Sequence, residues 1–184
     1  MAQDVDGIFE WKRRMGVHWA YHTSSTNRLI HFLCIPFQLF GLIKLLSLLP
    51  SVAEWDWALL FIIATAPLYL LPHLPAGVCM VAMLLGLRWL GLQLPGSWIG
   101  LLIGAFTLVV PFMIQTQIGH KLFEPGQRDD TEKNIKEFLA TKNPIPLALI
   151  FYYHMVELWL LLGVQPALKQ EIEGHMQREL AEFK

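Results

Sequence analysis

Charge is scarce in this chain. Of its 184 residues, 16% are Asp, Glu, Lys or Arg and 54% are apolar, whereas about a quarter of a typical soluble domain is charged. The mean hydropathy is +0.44. This shortage argues against an ordinary soluble domain and for a small integral membrane protein. The net charge is −1, so no global field attracts nucleic acid, and no basic-aromatic pattern exists to bind it. Cysteine is nearly missing. Cys34 and Cys79 both lie inside apolar runs, which excludes a disulfide framework. There is no internal repeat. Residues 1–16 are polar and amphipathic and the first apolar run begins near Leu29, a layout that does not fit a signal peptide.

What is present is a series of apolar segments, and the expected fold is an all-α integral membrane bundle with four to five of them, forming one membrane domain over residues 1–184. Segment 29–49 is long enough to span, since about 20 residues at about 1.5 Å each cross a hydrocarbon core. Segments 57–71 and 78–92 are shorter and suit a tilted or re-entrant hairpin, while 98–118 is a good fourth span. A polar connection, 123–143, contains a short amphipathic pattern with Ile135, Phe138 and Leu139 on one side. The fifth apolar segment is 147–163, which either spans or re-enters. A charged surface helix then closes the chain from residue 164. Before the first span, residues 1–28 carry Ile8, Phe9, Trp11, Met15, Trp19 and Tyr21 among Lys12, Arg13 and Arg14. This reads as an interfacial helix with aromatics in the headgroup layer, or else as a helix packed on the rest of the protein. Cations cluster before the first span and after the fourth, which puts both regions in the cytoplasm.

That topology gathers histidines. His22 and His31 fall at the cytoplasmic end of the first span, His73 in the turn after the second, and His120 at the end of the fourth. Imidazole is the commonest side-chain ligand for transition metals, and ionisable groups at the edge of a membrane usually mark a site. Asn27 and His31 are i,i+4 neighbours, as are His120 and Glu124. His22 and His31, nine apart, can converge only if the chain turns between them, and Thr23-Ser24-Ser25-Thr26 supplies residues that favour a helix start. His22, His31 and His120 with a carboxylate would suit an iron with open positions. The simpler reading is that these side chains satisfy helix ends and headgroups. His18 reads as facing the interface and His175 as solvated in the tail, while the roles of His73 and His154 stay open. Glu157 lies inside the fifth apolar segment, where a lone carboxylate is expensive. A metal-bound histidine, a partner such as Arg88 or His154, or protonation would relieve it.

The pattern Tyr21-His22, Asn27, Leu29-Ile30-His31 and Ile35-Pro36, followed by Gln117-Ile-Gly-His120 and Phe123-Glu124, resembles the 2-hydroxy fatty acid dioxygenases, small multi-span proteins of the endoplasmic reticulum. The similarity runs from about Trp11 to Gly163. It implies an Fe(2+) cofactor and α-oxidation, in which a 2-hydroxy long-chain fatty acid loses one carbon and O₂ is consumed, in the breakdown of the phytosphingosine backbone. His22, His31 and His120 match family histidines as metal ligands, and Glu124 and Glu157 match acidic positions, so Asn27, Glu124 and Glu157 become catalytic candidates. Arg28 or Lys121 could pair with the substrate carboxylate or with a lipid phosphate. No obligate protein partner is implied beyond membrane lipids. The chain departs from the family pattern at Pro125-Gly126-Gln127 and at His154.

Two rival readings use the same residues. A membrane di-iron lipid hydroxylase would carry several His-x-x-His-His clusters, and adjacent histidines are lacking here. A non-catalytic membrane lipid-binding protein would need no metal. A transporter would need a polar path, and Lys44, Arg88 and Glu157 are too few to form one.

Overall fold

The computed structural model describes residues 10–124 and 145–182, together with 136, 139, 140 and 142. Among the described residues the chain is helical, with only an isolated bridge between Val52 and Trp55. Helix α1 is Trp11–Tyr21, α2 is Ser25–Ser47, α3 is Trp57–Leu70 and α4 is Leu74–Gln93. Helix α5 runs Trp98–Ile114, continues through a π-helical stretch, Gln115–His120, and ends in one more turn, Lys121–Phe123. The last two helices are α6, Ile145–Leu161, and α7, Pro166–Glu182. Ile135 and Phe138 of the expected amphipathic helix, and the Pro125-Gly126-Gln127 departure, lie outside the described residues.

Three helices are long and apolar enough to cross a membrane: Ser25–Ser47, Leu74–Gln93 and Trp98–Phe123. Helix α3 and residues 149–161 are apolar but shorter. The third apolar segment is therefore longer than the 78–92 expected. His73 caps it by accepting from the Ala76 N–H, and Pro75 sits in its first turn, where the missing N–H is not needed. Apolar side chains stand outside the bundle, among them Leu29, Leu33 and Phe37 along one face of α2 and Leu102, Phe106 and Val109 on α5. Water would not tolerate so large a contiguous apolar surface, and lipid would. Trp55, Trp57, Trp89 and Trp98 are all exposed at the end of the bundle where α2 and α4 finish and α3 and α5 start. This matches the aromatic belt of a membrane boundary. Together these features describe a membrane protein.

Helix α2 packs against α5 and α4, and α3 against α4. Gly41 permits the close approach of α2 to α5, because a Cβ there would stand 2.5 Å from the Leu108 backbone nitrogen. Small residues at such crossings let transmembrane backbones meet. Buried polar groups are paired across these contacts. Gln38 and Gln115 hydrogen-bond at 2.7 Å between α2 and α5, and Lys44 Nζ donates to the carbonyls of Gly91 and Leu94 at 2.9 and 3.1 Å, where the C-terminus of α4 favours a cation.

The N-terminal helix corrects the interfacial reading. Trp11, Met15, Trp19 and Tyr21 are buried, so these aromatics are not in a headgroup layer. Helix α1 instead packs against α7, with Gly16 pressed on the backbone of α7 near Ile172 and Met176 and Lys12 bonded to Glu171 at 2.8 Å. The tail likewise is not merely a surface element, since its Ile172 is fully buried in the core.

Asp56 supports the end of the bundle away from the histidines. Its carboxylate caps α3 by accepting from the Leu59 N–H at 2.8 Å and forms a multidentate ion pair with Arg88 of α4. Arg88 is thus not the partner of Glu157. The Arg88 hydrogen bond holds the Asp56 carboxyl below its ordinary value, against the opposing effect of burial. A depressed folded value means that this stability is complete above the unfolded pKa of about 3.9 and is lost as the pH falls through the lower folded value. Asp56→Asn keeps a good cap and removes the charge, so it should lower the melting temperature in detergent at neutral pH and flatten the loss below about pH 4. Asp56→Ala should cost about 1 kcal/mol more, because the cap goes too.

Candidate metal centre

The chain turn needed between His22 and His31 is present. Helix α1 ends at Tyr21, and α2 begins at Ser25 with Ser24 as its cap, whose hydroxyl accepts from the Asn27 N–H. The hydroxyl run does what its chemistry favours: it ends one helix and starts the next. His22 then points back towards the start of α2. Its ring centre lies 4.7 Å from that of His31 and 5.0 Å from that of His120, while His31 and His120 are 5.1 Å apart. One nitrogen from each of these three lies within 4.8 Å of the others. The expected triad therefore converges, and the group can hold a metal ion.

Two local devices orient these rings. The first is the backbone. His22 Nδ1 lies 2.9 Å from the His18 carbonyl, and His31 Nδ1 lies 2.9 Å from the Asn27 carbonyl. A carbonyl only accepts, so each Nδ1 carries the proton and the lone pair sits on Nε2, the nitrogen suited to ligation. The second is the π-helical stretch that ends at His120. Such a stretch takes up an extra residue and rotates the next turn about the helix axis, and these stretches recur at functional sites. At its end, His120 Nδ1 lies 3.3 Å from Glu124 Oε2.

Glu124 joins the two halves of the site. It is buried, and besides lying beside His120 it accepts from the Ser24 backbone N–H at 2.9 Å and from Asn27 Nδ2 at 2.5 Å. One carboxylate thus fixes the end of α5, the cap of α2 and the Asn27 side chain, whose own backbone carbonyl holds His31. A carboxylate bonded to a ligating imidazole is a common way to fix ring orientation and raise basicity. Asn27 and Glu124 thus lie behind the histidines and tie them to the ends of α2 and α5.

The remaining candidates fall differently. Glu157 is 2% exposed, and its Oε1 accepts from Arg28 Nη1 at 3.0 Å. The partner is Arg28, neither Arg88 nor His154, and among the described residues no hydrogen bond joins Glu157 to a histidine. Arg28 is engaged by this pair yet keeps a third of its side chain exposed. Lys121 is exposed and bonded to Gln117 at 2.5 Å, and it lines neither cavity at the site. His73 lies outside the cluster, with Nε2 2.8 Å from Gln165 Oε1, and has a capping role. His175 pairs with Arg178.

Sequence reasoning misses His18 and undervalues His154. His18 does not face the interface. It is buried against His22, with ring centres 4.2 Å apart, and against His154 at 4.7 Å. His154 also stacks on His31 at 5.1 Å, with the ring planes 5° apart. One available signal is the i,i+4 spacing of His18 and His22, which shares a helix face. No local signal places α6, and hence His154, beside them.

Two cavities flank the histidines. The outer one, about 320 Å³, is lined by His22, Thr23, Arg28, Glu157, Lys169 and Glu173 among others. The inner one, about 180 Å³, is bordered by His18, His22, His31 and His154 with Gln38, Gln115 and the apolar Ile35 and Phe112. His22 borders both. The fold and site thus define an all-helical membrane protein with a buried histidine centre able to bind a metal ion. Comparisons with protein-family models, curated proteins and solved structures find no match to this chain.

Glu124→Gln keeps the shape but turns an acceptor into a group with its own N–H₂. It should weaken metal binding about 10- to 100-fold, measured by anaerobic titration. Gly119→Ala tests the same link from the other side. A Cβ there would overlap Asn27 Oδ1, so the change should displace Asn27 from Glu124 and weaken metal binding in the same direction.

Proposed function

We propose that this protein is an Fe(2+)-dependent dioxygenase of the endoplasmic-reticulum membrane, acting on 2-hydroxy long-chain fatty acids with its site near the cytoplasmic face. The observation that carries this reading is the convergence of His22, His31 and His120, with ring centres 4.7–5.1 Å apart, at one end of an apolar helical bundle. The motif resemblance supplies the substrate class. In the net reaction, a 2-hydroxy acid and O₂ give an acid one carbon shorter, CO₂ and water. The substrate supplies all four electrons that reduce O₂, so no further reductant is needed.

An iron held by the three imidazoles would supply the redox chemistry. The protein's own groups do the rest. Glu124 holds His120 in register, and Asn27 ties Glu124 to α2. Arg28, lining the outer cavity with part of its guanidinium unspent on Glu157, meets the substrate carboxylate. His22 borders both cavities, so a substrate whose carboxylate meets Arg28 has its 2-carbon beside His22.

The test is anaerobic iron loading followed by O₂ uptake with 2-hydroxypalmitate. Pentadecanoic acid should form with O₂ consumed and CO₂ released in equal amounts. Alanine at His22, His31 or His120 should abolish uptake and lower the iron content of a protein that still folds in detergent, while His175→Ala should change neither. Iron-loaded protein that consumes no O₂ with this substrate would sink the proposed reaction. Protein purified without chelator and devoid of any transition metal would favour the non-catalytic lipid-binding reading.

A further inference from the structure

A second histidine group adjoins the first. One nitrogen from each of His18, His22 and His154 lies within 4.8 Å of the others, and all three residues are buried. Their ring centres are 4.2, 4.7 and 5.9 Å apart. Ordinary core packing does not account for this group. His154 Nδ1 lies 3.1 Å from the Ile150 carbonyl, so it carries the proton and Nε2 holds the lone pair. That Nε2 is buried and has no hydrogen-bond partner, a state that is unfavourable unless something binds it. One turn along α6, Glu157 Oε2 is likewise buried without a partner.

We propose that His18, His22 and His154 form a second binding position for a divalent transition metal, beside the one at His31 and His120. The donor set is neutral imidazole, which suits iron and its neighbours in the series. All three residues border the inner cavity, which gives an ion there room for further ligands, and Glu157 lies one turn along α6 from His154. His22 belongs to both groups. Its Nδ1 is held by the His18 carbonyl, and one remaining nitrogen cannot serve two ions. When both positions are filled, one ion takes His22 and the other completes its shell with oxygen donors, as in two-metal sites with ions about 3.5–4 Å apart. This extends the iron reading of the first triad, and it can fail separately.

The experiment counts ions. Metal-free protein is titrated anaerobically with Fe(2+), and bound iron per chain is measured by elemental analysis. Wild type should saturate at two ions per chain. His18→Asn and His154→Asn should each saturate at one, and so should His120→Asn. Glu157→Gln, which removes the charge and keeps the shape, should weaken only one of the two binding phases, about 10-fold or more. Wild type saturating at one ion overturns the proposal without needing any variant, as does His154→Asn still binding two. Two ions with no O₂ uptake on 2-hydroxypalmitate would leave the second position standing and remove the proposed reaction. One ion with full uptake would do the reverse.

Discussion

The Glu124 carboxylate is the interaction on which the site depends. It sits where two stretches of chain far apart in sequence meet: the end of α5, and the start of α2 with its capping Ser24 and the Asn27 side chain. Each contact constrains a different histidine. His120 lies directly beside Glu124, His31 is bonded to the carbonyl of the residue whose side chain Glu124 holds, and His22 lies two residues before the capping Ser24. A buried carboxylate needs donors to offset its desolvation. Here those donors are the groups whose positions define the cluster, so electrostatic satisfaction and site geometry are the same requirement.

The membrane setting sharpens that requirement. A bundle whose outward faces are leucine, valine and phenylalanine has little choice about where polar groups go. In this protein they concentrate at two ends. Asp56 and Arg88 hold the end with the exposed tryptophans, and the histidines, Glu124, Arg28 and Glu157 occupy the other. Lys44, bonded to the last carbonyls of α4, also belongs to the tryptophan end, while Gln38 and Gln115 pair within the core between the two ends. Gln115 is also the first residue of the π-helical stretch, so the inter-helix hydrogen bond anchors the stretch that turns His120 inwards.

The Arg28–Glu157 pair connects the site to the tail. Both residues line the outer cavity together with Lys169 and Glu173 of α7. Helix α7 is itself fixed by α1, which carries His18 at its buried face. The N-terminal and C-terminal helices therefore close the histidine end of the bundle together, and neither acts as a loose surface appendage.

Much of this was legible in the sequence. Apolar length located α2, α5 and the shorter α3, because a helix must satisfy its own backbone in lipid. The Thr-Ser-Ser-Thr run located the break between α1 and α2, because hydroxyl side chains cap helix starts. The i,i+4 pairs Asn27/His31 and His120/Glu124 identified groups sharing a helix face, and His22, His31 and His120 do meet. Other features depend on contacts between residues far apart in the chain. Whether the α1 aromatics faced lipid or protein was decided by α7, some 150 residues away. The partner of Glu157 was decided by the approach of α2 to α6, which brought Arg28 and not Arg88. His18 and His154 joined the cluster only because α1 and α6 both pack at that end. Local patterns specify which face of a helix is polar. Only the packing of one helix on another decides which polar face it meets.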